Sequence, residues 1–327
     1  MDIEAPASGQ LDRVLAGLRA VAEETRLRLV ALCAESDLTV TELTGILGQS
    51  QPRLSRHLKV LCEAGALDRY REGNWVFFRL ARLGPGAEVV RRLRDLIPPD
   101  DPLVVHDRRR LEAVRAERAA AAAAYFRANA ARWNECRRLH VPEAEVEAAL
   151  CAALGERPIG TLLDVGTGTG RMLELFAERI EHGIGVDLSR AMLAVARANL
   201  EAAGRRHCQV RHGDMYDLDL ASESVDAVVV HQVLHYADRP AAALAEAARV
   251  LRPGGVMVIA DFAPHALEYL REAHAHRRLG FTDDEVHGWF RAAGLIPRPP
   301  TRLVGEPLTV VVWAAEKPTD GSKEDHR

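Results

Sequence analysis

Leu162-Leu163-Asp164-Val165-Gly166-Thr167-Gly168-Thr169-Gly170-Arg171 decides how the larger part of this chain folds. An apolar run ends in an acid, and a Gly-x-Gly-x-Gly turn opens onto a helical pattern. Glycines let the backbone turn sharply and approach a ligand closely, and the helix start that follows favours negative charge. Dinucleotide folds use a similar turn, and a ligand-free structural turn is the plainer alternative, so the surroundings must arbitrate. A second apolar run, 183–186, ends at Asp187, where an acid can accept from ribose hydroxyls. A third, 209–212, leads into Gly213-Asp214-Met215, and a fourth, 225–230, ends at His231-Gln232. Arg252-Pro253-Gly254-Gly255 precedes a fifth at 256–260, and a last run lies at 309–313. Helical stretches separate these runs, which predicts a parallel sheet with helices on both faces.

Working outward, 327 residues suggest about two domains. A net charge of −4 excludes a protein coated in positive charge but allows a local nucleic-acid face. The five cysteines, Cys33, Cys62, Cys136, Cys151 and Cys208, are scattered without a Cys-x-x-Cys, so reduced thiols are expected. The polar, acidic start predicts no signal peptide, and no apolar run is long enough to span a bilayer. The expectation is a cytoplasmic protein without membrane contact.

Ile97-Pro98-Pro99-Asp100-Asp101-Pro102 cannot continue a helix. It predicts a first domain over 1–99, a connector over 100–142 with one long helix at 111–140, a second domain over 143–317 and a polar tail over 318–327. Residues 111–140 are rich in Ala, Arg and Glu, strong helix formers.

Within the first domain, Thr39 or Thr41 can cap a helix that stops at Gly48. Ser50 then caps a second, with Pro52 in its first turn. Leu54, Leu58 and Leu61 share one face of that second helix. Gln51, Arg53, Ser55, Arg56, His57 and Lys59 occupy the other, and no acid occurs between Gln49 and Cys62. Two helices joined by a short turn, with such a face on the second, make a helix-turn-helix that reads DNA. Arg forks onto guanine, Gln onto adenine, and Ser or Lys reaches phosphate, so Ser50 joins the set. Aromatic and β-branched residues around Glu72-Gly73-Asn74 predict a hairpin wing carrying Arg69, Arg71 and Arg79.

Glu24-Thr25-Arg26-Leu27-Arg28-Leu29, the run from Gln51 through Leu61, Gly65, and the run from Gly73 through Leu80 resemble the ArsR-type winged-helix repressors. The resemblance covers about residues 11–95. It implies operator DNA as partner and a homodimer formed by the first helix (about 11–22) and the last (about 87–96). Arsenic-sensing members carry Cys-Val-Cys before the recognition helix, where this chain has Thr39-Val40-Thr41; zinc-sensing members use His on the last helix, and 88–96 holds none. Hydroxyls do not replace thiolates for soft ions, so no metal site is expected. Cys33 and Cys62 read as core residues, with a thiol switch as the alternative.

The ordered acids Asp164, Asp187 and Asp214 around the glycine turn, with the Arg-Pro-Gly-Gly turn, resemble the class I S-adenosylmethionine-dependent methyltransferases, chiefly the small-molecule branch, over about 125–316. The resemblance implies S-adenosyl-L-methionine, or S-adenosyl-L-homocysteine, as ligand. It implies that Asp164, Gly166, Gly168 and Gly170 flank the methionine part and that Asp187 holds the ribose. Leu188 or Met192 packs on the adenine, and Asp214 with Met215 meets its edge. Tyr125, Phe126 and Trp133 fit the aromatic helix that covers the cofactor, ordinary helix packing being the alternative. His231 joins the cofactor contacts. With His235 it is also a candidate catalytic base, because α/β substrates sit at the carboxyl ends of strands. Methyl transfer from a sulfonium is mainly proximity and alignment, so it does not require a base. No trio of pocket cysteines appears that would suit arsenic as acceptor.

The expected fold is therefore an N-terminal α+β winged helix-turn-helix and a C-terminal α/β Rossmann-like class I methyltransferase fold with a seven-stranded sheet, joined by a long helix. Two functions fit. One is a transcriptional regulator whose second domain senses the cofactor or methylates a small molecule. The other is an active small-molecule methyltransferase whose winged half mainly controls its own expression.

Overall fold

A computed structural model describes residues 10–72, 75–81, 84–129, 142–156 and 158–319. The chain divides into two compact units, Met1–Ala119 and Ala120–Arg327.

The first unit runs α1 (Gln10–Val21), α2 (Glu24–Glu35), β1 (Leu38–Thr39), α3 (Val40–Leu47), α4 (Gln51–Glu63), β2 (Leu67–Glu72), β3 (Trp75–Leu80), α5 (Pro85–Arg94) and the start of α6 (Pro102–Asn129). Thr39 and Glu42 close a reciprocal capping box at the start of α3, satisfying two N–H groups that the first turn would leave bare. Ser50 stands at the N-cap of α4 without a side-chain bond of its own, and Pro52 sits in the first turn. β1, too short to be read in the sequence, pairs antiparallel with β3 and completes a three-stranded sheet in the order β1-β3-β2. Leu29, Leu43, Leu54, Leu58 and Leu61 form its core.

The proline stretch breaks the chain but does not end this unit. Pro102 occupies the first position of α6, where a missing N–H costs little, and Asp101 accepts from Leu103 N and Val104 N. The helix thus starts nine residues before the expected 111, and its first half packs into the helix-turn-helix. Leu111 is fully buried in the core. Arg28 forks onto the buried Asp107 at 2.6 and 2.7 Å. Arg110 donates to the carbonyls of Gly45 and Ile46 near the end of α3, and Arg115 to that of Glu35.

The second unit contains α7 (Glu143–Leu154), β4 (Ile159–Val165), α8 (Arg171–Phe176), β5 (Ile180–Asp187), α9 (Arg190–Ala202), β6 (Cys208–His212), β7 (Val225–His231), α10 (Pro240–Val250), β8 (Leu251–Phe262), α11 (Tyr269–His274), α12 (Asp283–Ala292), β9 (Ile296–Pro297), β10 (Thr301–Leu303) and β11 (Val310–Glu316). Its sheet has the order β10-β11-β8-β7-β4-β5-β6, with β9 also on β11. The five strands from β6 to β8 are parallel, and β11 runs antiparallel to β8. The parallel sheet read from the sequence holds for these five strands, and two features lie beyond that reading. The last strand is reversed, and the outer edge is split in two. Arg298-Pro299-Pro300 separates β9 from β10, because proline cannot donate to a ladder. Arg252-Pro253-Gly254-Gly255, expected as a turn, is drawn into the start of β8, with a register shift against β7. Chain order reverses between β4 and β7, so the crevice beyond the carboxyl ends of these strands is where a ligand of such a sheet sits.

Candidate functional site

Helix α4 buries Leu54, Leu58 and Leu61 and leaves Gln51, Arg53, Ser55, Arg56 and Lys59 exposed. Ser50 at its N-cap is exposed too. His57 departs from that face. It is half-buried, with Nδ1 3.5 Å from Glu23 Oε2, and Glu23 itself caps α2 by accepting from Arg26 N. Attraction to a capping carboxylate turns the imidazole inward, so His57 is corrected from reader to support. On the hairpin, Arg69 and Arg71 are exposed and share one face of β2. Arg79 folds back over the Tyr70 ring, 4.7 Å from its centroid, and is corrected from an outward contact to a packed one. Gly73 and Asn74 lie outside the described residues. Burial pushes the thiols of Cys33 and Cys62 up from their ordinary value, which keeps them protonated and poor in nucleophilicity.

In the second unit the glycine turn is fixed by its own backbone. Gly166 N and Thr167 N both donate to Val186 O, at 2.8 and 3.0 Å, and Gly170 N donates to Thr167 O. Gly166, Gly168 and Gly170 have φ of 71°, 54° and 83°. A Cβ on Gly166 would overlap the Val233 side chain, so the turn lies directly against the loop after β7. Thr167 donates to the buried Asp164 at 2.6 Å. Its side chain fills the space over Gly185, where a Cβ would come within 2.6 Å of Thr167 Oγ1. Asp164 therefore acts on the loop, through Thr167.

Asp187 ends β5 and accepts from Gly168 N at 2.9 Å and Ser189 N at 2.7 Å, one bond per oxygen. Burial raises its pKa from the ordinary value, while the two N–H groups and His212 pull it back. Each oxygen keeps a lone pair for a ligand hydroxyl. Leu188 beside it is 53% exposed, an apolar surface of the kind a planar base covers. Met192 is only 1% exposed in the core face of α9, so of the two expected adenine contacts the structure leaves Leu188 open and corrects Met192. Asp214 accepts from Tyr216 N at 3.0 Å, and Met215 is half-buried against the core. These features fit a nucleoside at the turn: an acceptor pair for a diol, an apolar shelf, and a turn whose glycines leave its ligand face without side chains. Tyr125 and Phe126 lie in α6 with only their backbone described, and Trp133 falls outside the described residues.

A cavity of about 400 Å³ is lined by Pro142, Glu143, Ala144, Glu147 and Arg171. Asp187 is not among its walls. Arg171, the first residue of α8, forks onto Glu147 at 2.6 and 2.8 Å, which holds its charge on.

His231 ends β7 and is buried; Gln232 after it has φ 52°, rare for a residue with a side chain and a pointer to a functional loop. His235 sits in the turn Leu234–Tyr236, 2% exposed, with Nδ1 2.8 Å from Asp261 Oδ1. Sequence reading missed Asp261. The signal was present, because Ile259-Ala260-Asp261 is an apolar run ending in an acid, the same pattern that marks Asp187.

Residues 23–68 match the family described as bacterial regulatory protein, arsR family, and residues 163–259 match a methyltransferase domain. The chain is 49% identical over 63 residues to the arsenic resistance transcriptional regulator ArsR1 of Pseudomonas putida, covering 19% of this chain and 49% of that protein. It is 35% identical over 107 residues to an arsenite methyltransferase of Halobacterium salinarum, covering 32% and 27%. The chain spans about a third to a half of the first relatives it matches. A chain of the complex between the Haloferax volcanii Trm112 methyltransferase activator and a methyltransferase superposes with a TM-score of 0.51 at 23% identity, covering 59% of this chain and 97% of that one, a likeness of fold. With the helix-turn-helix in the first unit and the switch-point crevice in the second, residues 23–68 are similar to the arsR-family regulators and residues 163–259 to a methyltransferase domain.

Proposed function

We propose that this protein is a DNA-binding transcriptional regulator whose second unit binds S-adenosyl-L-methionine or S-adenosyl-L-homocysteine and methylates a small molecule. The observation that carries the reading is the pairing, in one chain, of the exposed Arg- and Gln-bearing face of α4 with the Asp187-tied glycine turn. Gln51, Arg53, Ser55, Arg56 and Lys59 read operator DNA, with Ser50 and Arg71 on phosphate. Gly166, Gly168 and Gly170 hold the methionine part, Asp187 the ribose, Leu188 the adenine face, and Asp214 with Met215 its edge. The bound cofactor supplies an electrophilic methyl group. His231 and His235 stand where the acceptor meets it. Tyr125 remains a proposed cover for the cofactor.

Exposed Leu11, Leu15 and Leu18 on α1, which packs beside α5, support a homodimer through these helices, the unit that reads a two-fold operator. Among the described residues no helix is long and apolar enough to cross a membrane. We propose a cytoplasmic dimer. The test is an operator titration with each nucleoside, run beside calorimetry of the nucleosides and an assay of methyl turnover. A chain that binds neither nucleoside below about 1 mM, weaker than about −4 kcal/mol, overturns the cofactor reading.

A further inference from the structure

Behind the cofactor turn lies a buried ionisable pair that cofactor binding does not use. Asp261, next to last in β8, is 0% exposed. Its Oδ1 meets His235 Nδ1 at 2.8 Å and accepts from Phe262 N at 2.8 Å, and its Oδ2 accepts from His235 N at 3.2 Å. A carboxylate in an apolar core is costly, and an apolar residue would pack the end of β8 at less cost. An ionised carboxylate only accepts, so against it a neutral ring would carry its hydrogen on Nδ1 and keep its lone pair on Nε2.

The ring is held on its faces as well. The centroids of Tyr236 and His276 are each 4.1 Å from that of His235, and Phe262 lies at 5.1 Å. Arg277 N and Arg278 N both donate to His235 O, pinning the segment after β8 across the turn. Their side chains are engaged elsewhere, Arg277 with Asp238 at 2.7 Å and Arg278 with Glu285 at 3.6 Å. Asp261, Tyr236 and His276 are titratable groups that meet the ring. The turn begins directly after Val233, the residue that touches Gly166. His235 is thereby placed at the carboxyl end of β7, beside the cofactor turn.

We infer that Asp261 is a positioning residue that fixes His235 as a base through Nε2, and that the acceptor of this site is one that surrenders a proton: a hydroxyl, phenol or N–H compound. The inference rests on the methyltransferase reading above. As the acceptor's bond to the methyl carbon forms, the sulfur–methyl bond breaks with its electron pair left on sulfur, and the acceptor's proton passes to Nε2. A thioether or tertiary amine becomes an onium ion and loses no proton, so a base has nothing to do there. An arsenic acceptor needs thiolates. Among the described residues of the second unit the cysteines are Cys151, on α7, and Cys208, which begins β6 and faces Leu173 O, and neither lies in the turn at His235.

The full chain, supplied with S-adenosylmethionine, is assayed for S-adenosylhomocysteine release with catechol, tyramine, dimethyl sulfide and trimethylamine. In parallel, nitrogen-15 spectra of labelled histidines read the tautomer of His235. The expected result is turnover confined to catechol or tyramine and a single Nδ1–H tautomer in the wild type. Asp261→Asn is expected to mix the tautomers and to lower kcat about a hundredfold. Cofactor affinity is expected to hold within about twofold, since Asp261 touches no cofactor residue. His235→Gln is expected to remove the acid limb of the pH–kcat profile. Turnover of dimethyl sulfide or trimethylamine at a comparable rate overturns the inference. So does a mixed tautomer in the wild type, which needs neither an active acceptor nor a folded variant. Loss of nucleoside binding in wild-type calorimetry, with the tautomer intact, would instead overturn the methyltransferase reading.

Discussion

Helix α4 offers a ligand side chains, whereas the turn after β4 offers backbone. Arg53 and Arg56 stand in water, solvated until a polyanion replaces the water, and Lys59, also exposed, lies 3.7 Å from Glu63. In the glycine turn the N–H groups of Gly166, Thr167, Gly168 and Gly170 are all satisfied internally, and Asp187, proposed to hold the ribose, is a half-buried acid that desolvation disfavours in its charged form. A surface built from solvated side chains costs the fold almost nothing, so substitutions there change binding alone. A surface built from fixed backbone and a half-buried, hydrogen-bonded acid is part of the fold, so substitutions there change stability and binding together.

Changes that touch the frames behind the two surfaces should break this contrast most sharply. Behind α4, Asp107 and Arg28 form a pair whose side chains are 3% and 12% exposed. Removing one partner of a buried pair strands the other, at a cost of about 3–5 kcal/mol. Asp107→Ala should lower the first unit's calorimetric transition by that much and leave the second unit's in place. An unshifted first transition would mean that α6 does not brace the helix-turn-helix. Behind the glycine turn, Gly166→Ala places a Cβ into Val233 at a positive φ. Left-handed strain of about 1–2 kcal/mol and overpacking of about 1–3 kcal/mol should together destabilise the second unit by roughly 2–5 kcal/mol. Gly166→Ala with Val233→Ala should recover the overpacking share and keep the strain. If the double variant recovers nothing, contact with Val233 is not what fixes the turn.

The α4 surface should behave in the opposite way. Arg53→Ala and Arg56→Ala should each weaken operator binding by about 1–3 kcal/mol, if each forks onto a base. Unfolding of the first unit should stay within about 0.5 kcal/mol of the wild type, as for exposed sites. His57→Ala should do the reverse, because its imidazole faces Glu23. Operator affinity and stability measured together on the three variants decide the matter. A His57 variant that loses affinity at unchanged stability would return that residue to the reading face.

A threonine cap on α3 (Thr39 or Thr41), the leucine face of α4 and the acids that close β4 and β5 were legible in the sequence because each is a local pattern of fewer than about ten residues. What sequence reading missed is non-local or hidden within a uniform pattern. Leu111 and Asp107 sit in a stretch read only as a connector, and their burial depends on α2, far back in the chain. Met192 and Leu188 are both apolar and four residues apart, and only the packing of α9 decides which faces out. Asp261 and His235 meet because β7 and β8 are neighbours, a pairing that spacing along the chain does not reveal. Arg79 and His57 have the residue types of DNA contacts, yet a tyrosine ring and a capping glutamate claim them first.

The smallest expected effect is the pH response of Asp187, and it tests the contrast within one residue. Burial raises its pKa above the ordinary 3.8, so folding favours the protonated form. Its contribution to stability is therefore full below 3.8 and declines as pH rises through the folded-state value. Nucleoside binding should have the opposite slope. Ribose hydroxyls donate to the carboxylate, so affinity is full above the raised pKa and falls as pH drops through it. His212, opposite Asp187 in the β5–β6 ladder, lowers the pKa by its charge and narrows the window without changing either sign. Asp187→Ala should flatten both slopes and, by removing the acceptor, cost about 1–3 kcal/mol of binding at neutral pH. Calorimetric affinity and unfolding temperature of the wild type and the variant, measured from about pH 4 to 7, give the two slopes. Affinity that stays constant across that range, or that weakens as pH rises, would remove Asp187 from the ribose and leave it only the task of tying down Gly168 and Ser189.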